Sequence, residues 1–163
     1  MVTLLKMVRS MLAEDGWSLL ELPAEAGPGP GSGLGPGPGL ATTVTAAGAS
    51  WPLVILADEQ ERVLLCYSIC PRTVPSDRRS AVAEVLTRIN HGLLIGTFEL
   101  DLDDGEVRLR TSQDVGHAPL TARLVRSLVG RNIAVAERHF PTVESAMTAP
   151  GPGQGAAEEL RRP

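Results

Sequence analysis

Cys66 and Cys70, the histidines His91, His117 and His139, and the cluster Ser112, Asp114 and His117 have the types and spacing from which chemistry is built. The cysteines stand four apart in a strand-like run, on one face but about 13 Å from each other, beyond disulfide reach. They do not form C-x-x-C, and they read as small buried hydrophobes rather than reactive thiols. The histidines fall on a helix end, a loop and a late helix without H-E-x-x-H or H-x-E, so no metal is expected. Ser112, Asp114 and His117 lack a G-x-S-x-G elbow and an oxyanion donor pair, and read as a polar loop. Gly27 to Gly39 holds no G-x-G-x-x-G and no lysine, while Gly151, Gly153 and Ala156 match the looser G-x-G-x-x-A with no strand before them. Both segments read as linkers. Arg123, Arg126 and Arg138 could line an anion site, but lysine occurs once in the chain, so arginine is its default cation and a solvated helix face is the simpler reading. No catalytic residue, cofactor or metal ligand is assigned.

These residues must be carried by one domain, since 163 residues suffice for a single core. A formal charge of −4 lacks the basic footprint of a nucleic-acid binder. The opening MVTLLKMVRSML is interrupted by charge too often for a signal peptide or a membrane span, so a cytoplasmic protein is expected. Glycine and proline are bunched in GPGPGSGLGPGPG, residues 27–39, which predicts a flexible insertion, and in the tail 148–163, which predicts disorder. The patterned domain spans 1–147.

Leu4, Leu5, Val8, Met11 and Leu12 make the stripe of an amphipathic helix over 1–15, stopped by Gly16. Short strands follow at 17–22 and 41–46. Trp51 to Ala57 and Arg62 to Ile69 are apolar runs around Asp58-Glu59-Gln60-Glu61, a hairpin expected at the sheet's centre. Pro75 suits the first position of a helix whose apolar face is Val82, Val85, Leu86, Ile89 and Leu93, with Gly92 at a left-handed cap. Leu94 to Leu102 and Glu106 to Thr111 alternate as a second hairpin, with Phe98, Leu100, Leu102, Val107 and Leu109 on one face. A type I′ turn at Asp104-Gly105 pairs Leu102 with Val107 and Glu99 with Arg110; sliding by two would set Asp101 against Glu106. Leu120, Leu124, Val125, Leu128 and Val129 begin a helical stripe whose phase shifts to Ala136, Phe140, Val143 and Met147, predicting two helices meeting near Gly130 and Asn132, with Pro141 kinking or restarting the second.

The block RINHGLLIGTFELDLDDGEVRLRTSQ, with AERHFPTVESAM downstream, resembles the YbjN domain family, described as bacterial sensory transduction regulators. Gly16-Trp17 after the first helix, Val74-Pro75 before the next and Asn90 in its last turn fit the same pattern, over about Met1 to Met147. The resemblance implies a type III secretion chaperone-like fold, an α+β arrangement with helices on a mixed, mainly antiparallel sheet. The strand signals set that sheet at about five to six strands, in the order α-β-β-β-β-α-β-β-α-α. The family brings no catalytic residues, and its members are thought to bind partners. Here the 27–39 insertion departs from it.

The central hairpin offers hydrophobes to both faces, through Leu53, Val54, Ile55 and Leu56 and then Val63 to Cys66, where a sheet with helices on one side should alternate. The second face needs a cover: the N-terminal helix, a second subunit or a partner segment. The reading is a cytoplasmic, non-enzymatic, chaperone-like module that engages a protein partner or itself, as a homodimer, through Trp51, Leu53, Val54, Ile55, Leu56, Leu64 and Cys66. The alternatives are a small-ligand-sensing regulatory domain, with a pocket between the sheet and the helices of Leu120 to Met147, and an enzyme of unrecognised type.

Overall fold

The computed structural model describes residues 3–23 and 38–149. The 27–39 insertion and the 148–163 tail therefore fall largely outside the described residues, except for Pro38, Gly39, Thr148 and Ala149. The first helix, α1 (Leu4–Glu14), is capped by Thr3, whose side chain accepts from the Lys6 N–H at 3.3 Å. It ends as expected at Gly16. With φ at +85°, Gly16 donates to the Ala13 carbonyl while the Trp17 N–H reaches Leu12, the paired bonds of a Schellman motif.

Strands β1 (Leu20–Leu22), β2 (Gly39–Ala46), β3 (Ala49–Asp58), β4 (Val63–Ile69), β5 (Thr97–Leu100) and β6 (Val107–Asp114) form an open six-stranded sheet in the order β1-β2-β3-β4-β6-β5. Every pairing is antiparallel, and the two apolar runs β3 and β4 lie at its centre. Their turn is held by the Asp58 carboxylate, which accepts from the Gln60 and Glu61 N–H groups. In the same turn, Glu59 reaches across 55 residues of sequence to accept from the Leu4 N–H at 2.9 Å. A carboxylate thus sits on the positive end of α1 and ties it to the sheet.

A single 3-10 turn (Ser76–Arg78) after Pro75 leads into α2 (Arg79–Gly92). Gly92 is the last helical residue rather than a left-handed cap; the positive φ falls at Gly96, where a Cβ would crowd Leu109 and Thr111 at 3.2 Å. Asn90 explains why the chain turns there. Its side-chain amide donates to the Phe98 carbonyl at 3.0 Å and accepts from the Phe98 N–H at 2.8 Å, occupying the outer edge of β5 as a neighbouring strand would.

The second hairpin forms in a different register from the type I′ reading. Leu100 pairs with Val107 and Glu99 with Arg108, a slide of two residues that brings Asp101 opposite Glu106. The side chains and backbone of the turn outweigh the charge argument. Asp101 accepts from the Asp103 N–H, Asp104 accepts from the Glu106 N–H, and the Gly105 N–H closes on the Asp101 carbonyl. Gly105 is further locked against Val74: their backbones share a 2.8 Å hydrogen bond, and a Cβ at Gly105 would lie 2.3 Å from the Val74 oxygen. The shift moves Leu102 off the core face into solvent.

The expected pair of C-terminal helices is one, α3 (Ala122–Thr148), with Pro141 inside it. Its buried residues are Val125, Leu128, Val129, Asn132, Ala136, Phe140, Val143 and Met147. Counted with Asn132, the stripe is continuous, and the apparent phase shift came from leaving out a polar residue. The buried faces of α1, α2 and α3 share one core with Leu53, Ile55, Leu64, Cys66, Val107 and Leu109. Leu56, Leu65 and Tyr67 form a separate cluster with Val54 and Val63, on the face that no described helix covers. The N-terminal helix is therefore not its lid.

Candidate functional site

The period of two in β3 and β4 divides the residues expected to bind a partner between the faces. Trp51, Leu53, Ile55, Leu64 and Cys66 point to the helices and are buried in the main core. Val54 and Leu56 point to the helix-free face, where Val54 lies opposite Tyr67 and Leu56 opposite Leu65. Leu65, within the apolar run Val63 to Cys66, and Tyr67 are absent from the expected docking residues, although alternation along β4 sets them outward beside Leu64 and Cys66.

The helix-free face is built from an apolar floor and a charged flank. Leu56 lies over Gly39, its Cδ2 so close that a Cβ there would stand 2.8 Å away, with Leu22 beside it. Tyr67 is only 2 % exposed because long side chains from β6 lie across it: the Arg108 guanidinium sits 5.0 Å from its ring centre. Glu99 holds both cations, accepting from Arg108 Nε at 2.7 Å and approaching Arg110 Nε at 2.9 Å. Burial pushes the Tyr67 phenol up, and its hydroxyl has no hydrogen-bond partner among the described residues. On the β1 side the same face ends in Leu20, 68 % exposed, with Val54 and Leu22 half-buried between.

The helix-covered face carries a buried polar hub that the sequence reading also missed. Asn132 projects from α3, donating to the Cys66 carbonyl at 2.8 Å and lying within 3.2 Å of the Leu109 carbonyl and the Thr111 hydroxyl. Its Oδ1 accepts from Ser68 at 2.6 Å, and Ser68 accepts from the Trp51 indole N–H at 2.9 Å. Its position on the apolar stripe, a helical turn from Leu128 and from Ala136, is the signal that could have found it. A closed network of this kind fixes one packing of helix on sheet; it leaves no group free to react.

The other candidate residues are dispersed. Cys66 and Cys70 are free and buried, and burial pushes Cys70 to about 11 and Cys66 higher still. His139 lies against Phe98 with its ring held below the ordinary imidazole range by burial and by Arg138, while His91 and His117 are exposed elsewhere. Asp114 accepts from the Gly116 N–H as a turn-former, and no hydrogen bond joins it to Ser112 or His117 among the described residues. Arg126 forms a two-point pair with Asp15, whose carboxyl it holds below the usual range; Arg123 and Arg138 are exposed. Gly151, Gly153 and Ala156 lie outside the described residues.

A cleft of about 360 Å³ opens between β6 and α3, lined by Ile95, Thr111, Ser112, Gln113, Leu128 and Arg131 among others. A second chamber, of about 260 Å³, lies under α1 against β1, β2 and β3. Among the described residues no helix is long and apolar enough to cross a membrane. No curated protein matches the chain. A protein-family comparison does: residues 5–145 match YbjN, described as "Putative bacterial sensory transduction regulator". With helices on one side of an open antiparallel sheet, and a match over most of its length, the chain belongs to the YbjN family.

Proposed function

We propose that this chain is a non-enzymatic regulatory module, chaperone-like in action, that engages a protein partner or a second copy of itself through the helix-free face of its sheet. The family description supports the regulatory half. The observation that carries the docking half is the apolar row Leu20, Val54, Leu56, Val63, Leu65 and Tyr67 on a face against which no described helix packs. Half-buried Val54 and Val63 and exposed Leu20 are its accessible part. Arg108, Glu99 and Arg110 form a charged flank that would set the partner's register. A cytoplasmic location belongs to the same reading, supported by two cysteines kept as free thiols.

Light scattering across a concentration series tests it. The wild-type chain is expected to move from monomer to dimer, and Val54→Glu to remain monomeric while keeping the folded circular-dichroism spectrum. A wild type that stays monomeric at every concentration overturns self-association. A client segment would then be the only partner left for this face, to be tested by amide shifts at Val54 and Val63.

A further inference from the structure

The chamber beneath α1 has no role in partner docking, because it lies on the helix side of the sheet. Its apolar walls on the helix side are Leu5 from α1, Pro38 and Leu40 at the start of β2, and Ala57 from β3. Its charged lining is Lys6, Arg9, Glu21 and Glu59. Three of the four are engaged. Arg9 pairs with Glu21, and Glu59 accepts from the Leu4 and Leu5 N–H groups. Lys6 has no carboxylate partner among the described residues, and it is the single lysine of the chain. An apolar volume lined by one cation that no described carboxylate pairs is complementary to an apolar body ending in a carboxylate. At about 260 Å³ the chamber falls below the roughly 300–1,000 Å³ of sites for drug-sized ligands, which limits the body to a short chain.

We infer that this chamber binds a small amphipathic carboxylate, its aliphatic part against Leu5, Leu40 and Ala57 and its head group on the Lys6 ammonium. Such a ligand would bridge α1 to the first strands, adding to the buried Leu4 and Val8, the Glu59 cap and the Arg9–Glu21 pair. The inference does not rest on partner docking, and either reading can fail without the other.

The probe is octanoate, with octylammonium and octanol as head-group controls, added to the full chain. Because Lys6 is the sole lysine, reductive ¹³C-methylation gives it one resonance distinct from the N-terminal amine and preserves its charge. Octanoate is expected to shift that resonance and the amides of Leu5, Leu40 and Ala57 saturably, at millimolar concentration or below. Octylammonium should bind several-fold more weakly, and Lys6→Glu should reverse that order, as expected for a solvent-accessible charge contact. Ala57→Phe, which fills the chamber, should abolish the shifts. Lys6→Glu lies on the surface and keeps the test valid should Ala57→Phe not fold. Absence of a saturable shift, equal binding of octanoate and octylammonium, or persistence of the shifts in a folded Ala57→Phe protein would overturn the inference.

Discussion

Asn132 holds a place on α3 that helical periodicity reserves for a hydrophobe, and its bonds to Cys66, Leu109, Thr111 and Ser68 show why an amide stands there. Asn132→Leu removes the acceptor of the Ser68 hydroxyl and should cost about 1–3 kcal/mol. Asn132→Asp is expected to cost more, about 3–5 kcal/mol at neutral pH, because a carboxylate would face two backbone carbonyls without a cation. Urea titrations should show that gap narrowing as the pH falls, since protonation restores a donor at the site. The thiols follow from burial in the same region. With Cys70 raised to about 11 and Cys66 above it, neither should be modified by a thiol reagent at pH 8 in the folded protein, and both should react at once in denaturant. Fast labelling of the native chain would contradict the packing. Residue type and spacing identified the cysteines as buried residues, but the helical pattern passed over Asn132 because polarity alone does not reveal whether partners are waiting.

Among the elements, the β5–β6 hairpin and α3 departed most from expectation. Alternation placed Phe98, Val107 and Leu109 on the core face correctly. Register depended on the turn's own hydrogen bonds and on a contact outside the hairpin, where Gly105 is clamped to Val74 at a positive φ of 84°. Gly105→Ala should therefore destabilise the fold by several kcal/mol, about 3 or more, since it adds both strain and a clash with backbone. Thermal unfolding checks this, and a loss under about 1 kcal/mol, the ordinary cost of a positive φ alone, would mean the Val74 contact is unimportant. In α3, Pro141 did not divide the helix, because Ala136, Phe140, Val143 and Met147 bury its face on either side of the ring. Pro141→Ala should stabilise by about 1–2 kcal/mol, the helix-interior cost of proline less the entropy that its ring removes from the unfolded chain. Unfolding in urea would show this as a higher midpoint at constant slope.

For the whole molecule, the sheet is half roofed: α1, α2 and α3 cover one face, and arginine stems with a few leucines finish the other. If copies associate through the helix-free face, the dimer should strengthen in sulfate and change little with sodium chloride, because apolar burial responds to excluded salts and short ion pairs on a rim add little. Sedimentation in the two salts separates this from an electrostatic dimer, which sodium chloride would dissolve. By itself the sequence determined the element types, the central place of β3 and β4 and the apolar character of both their faces, since period and composition are local properties of the chain. Only the tertiary structure decided the hairpin register, the unity of α3, the polar hub and the chamber beneath α1. Each of these depends on groups far apart in sequence, Gly105 with Val74, Asn132 with Cys66 and Leu4 with Glu59, whose meeting no local pattern encodes.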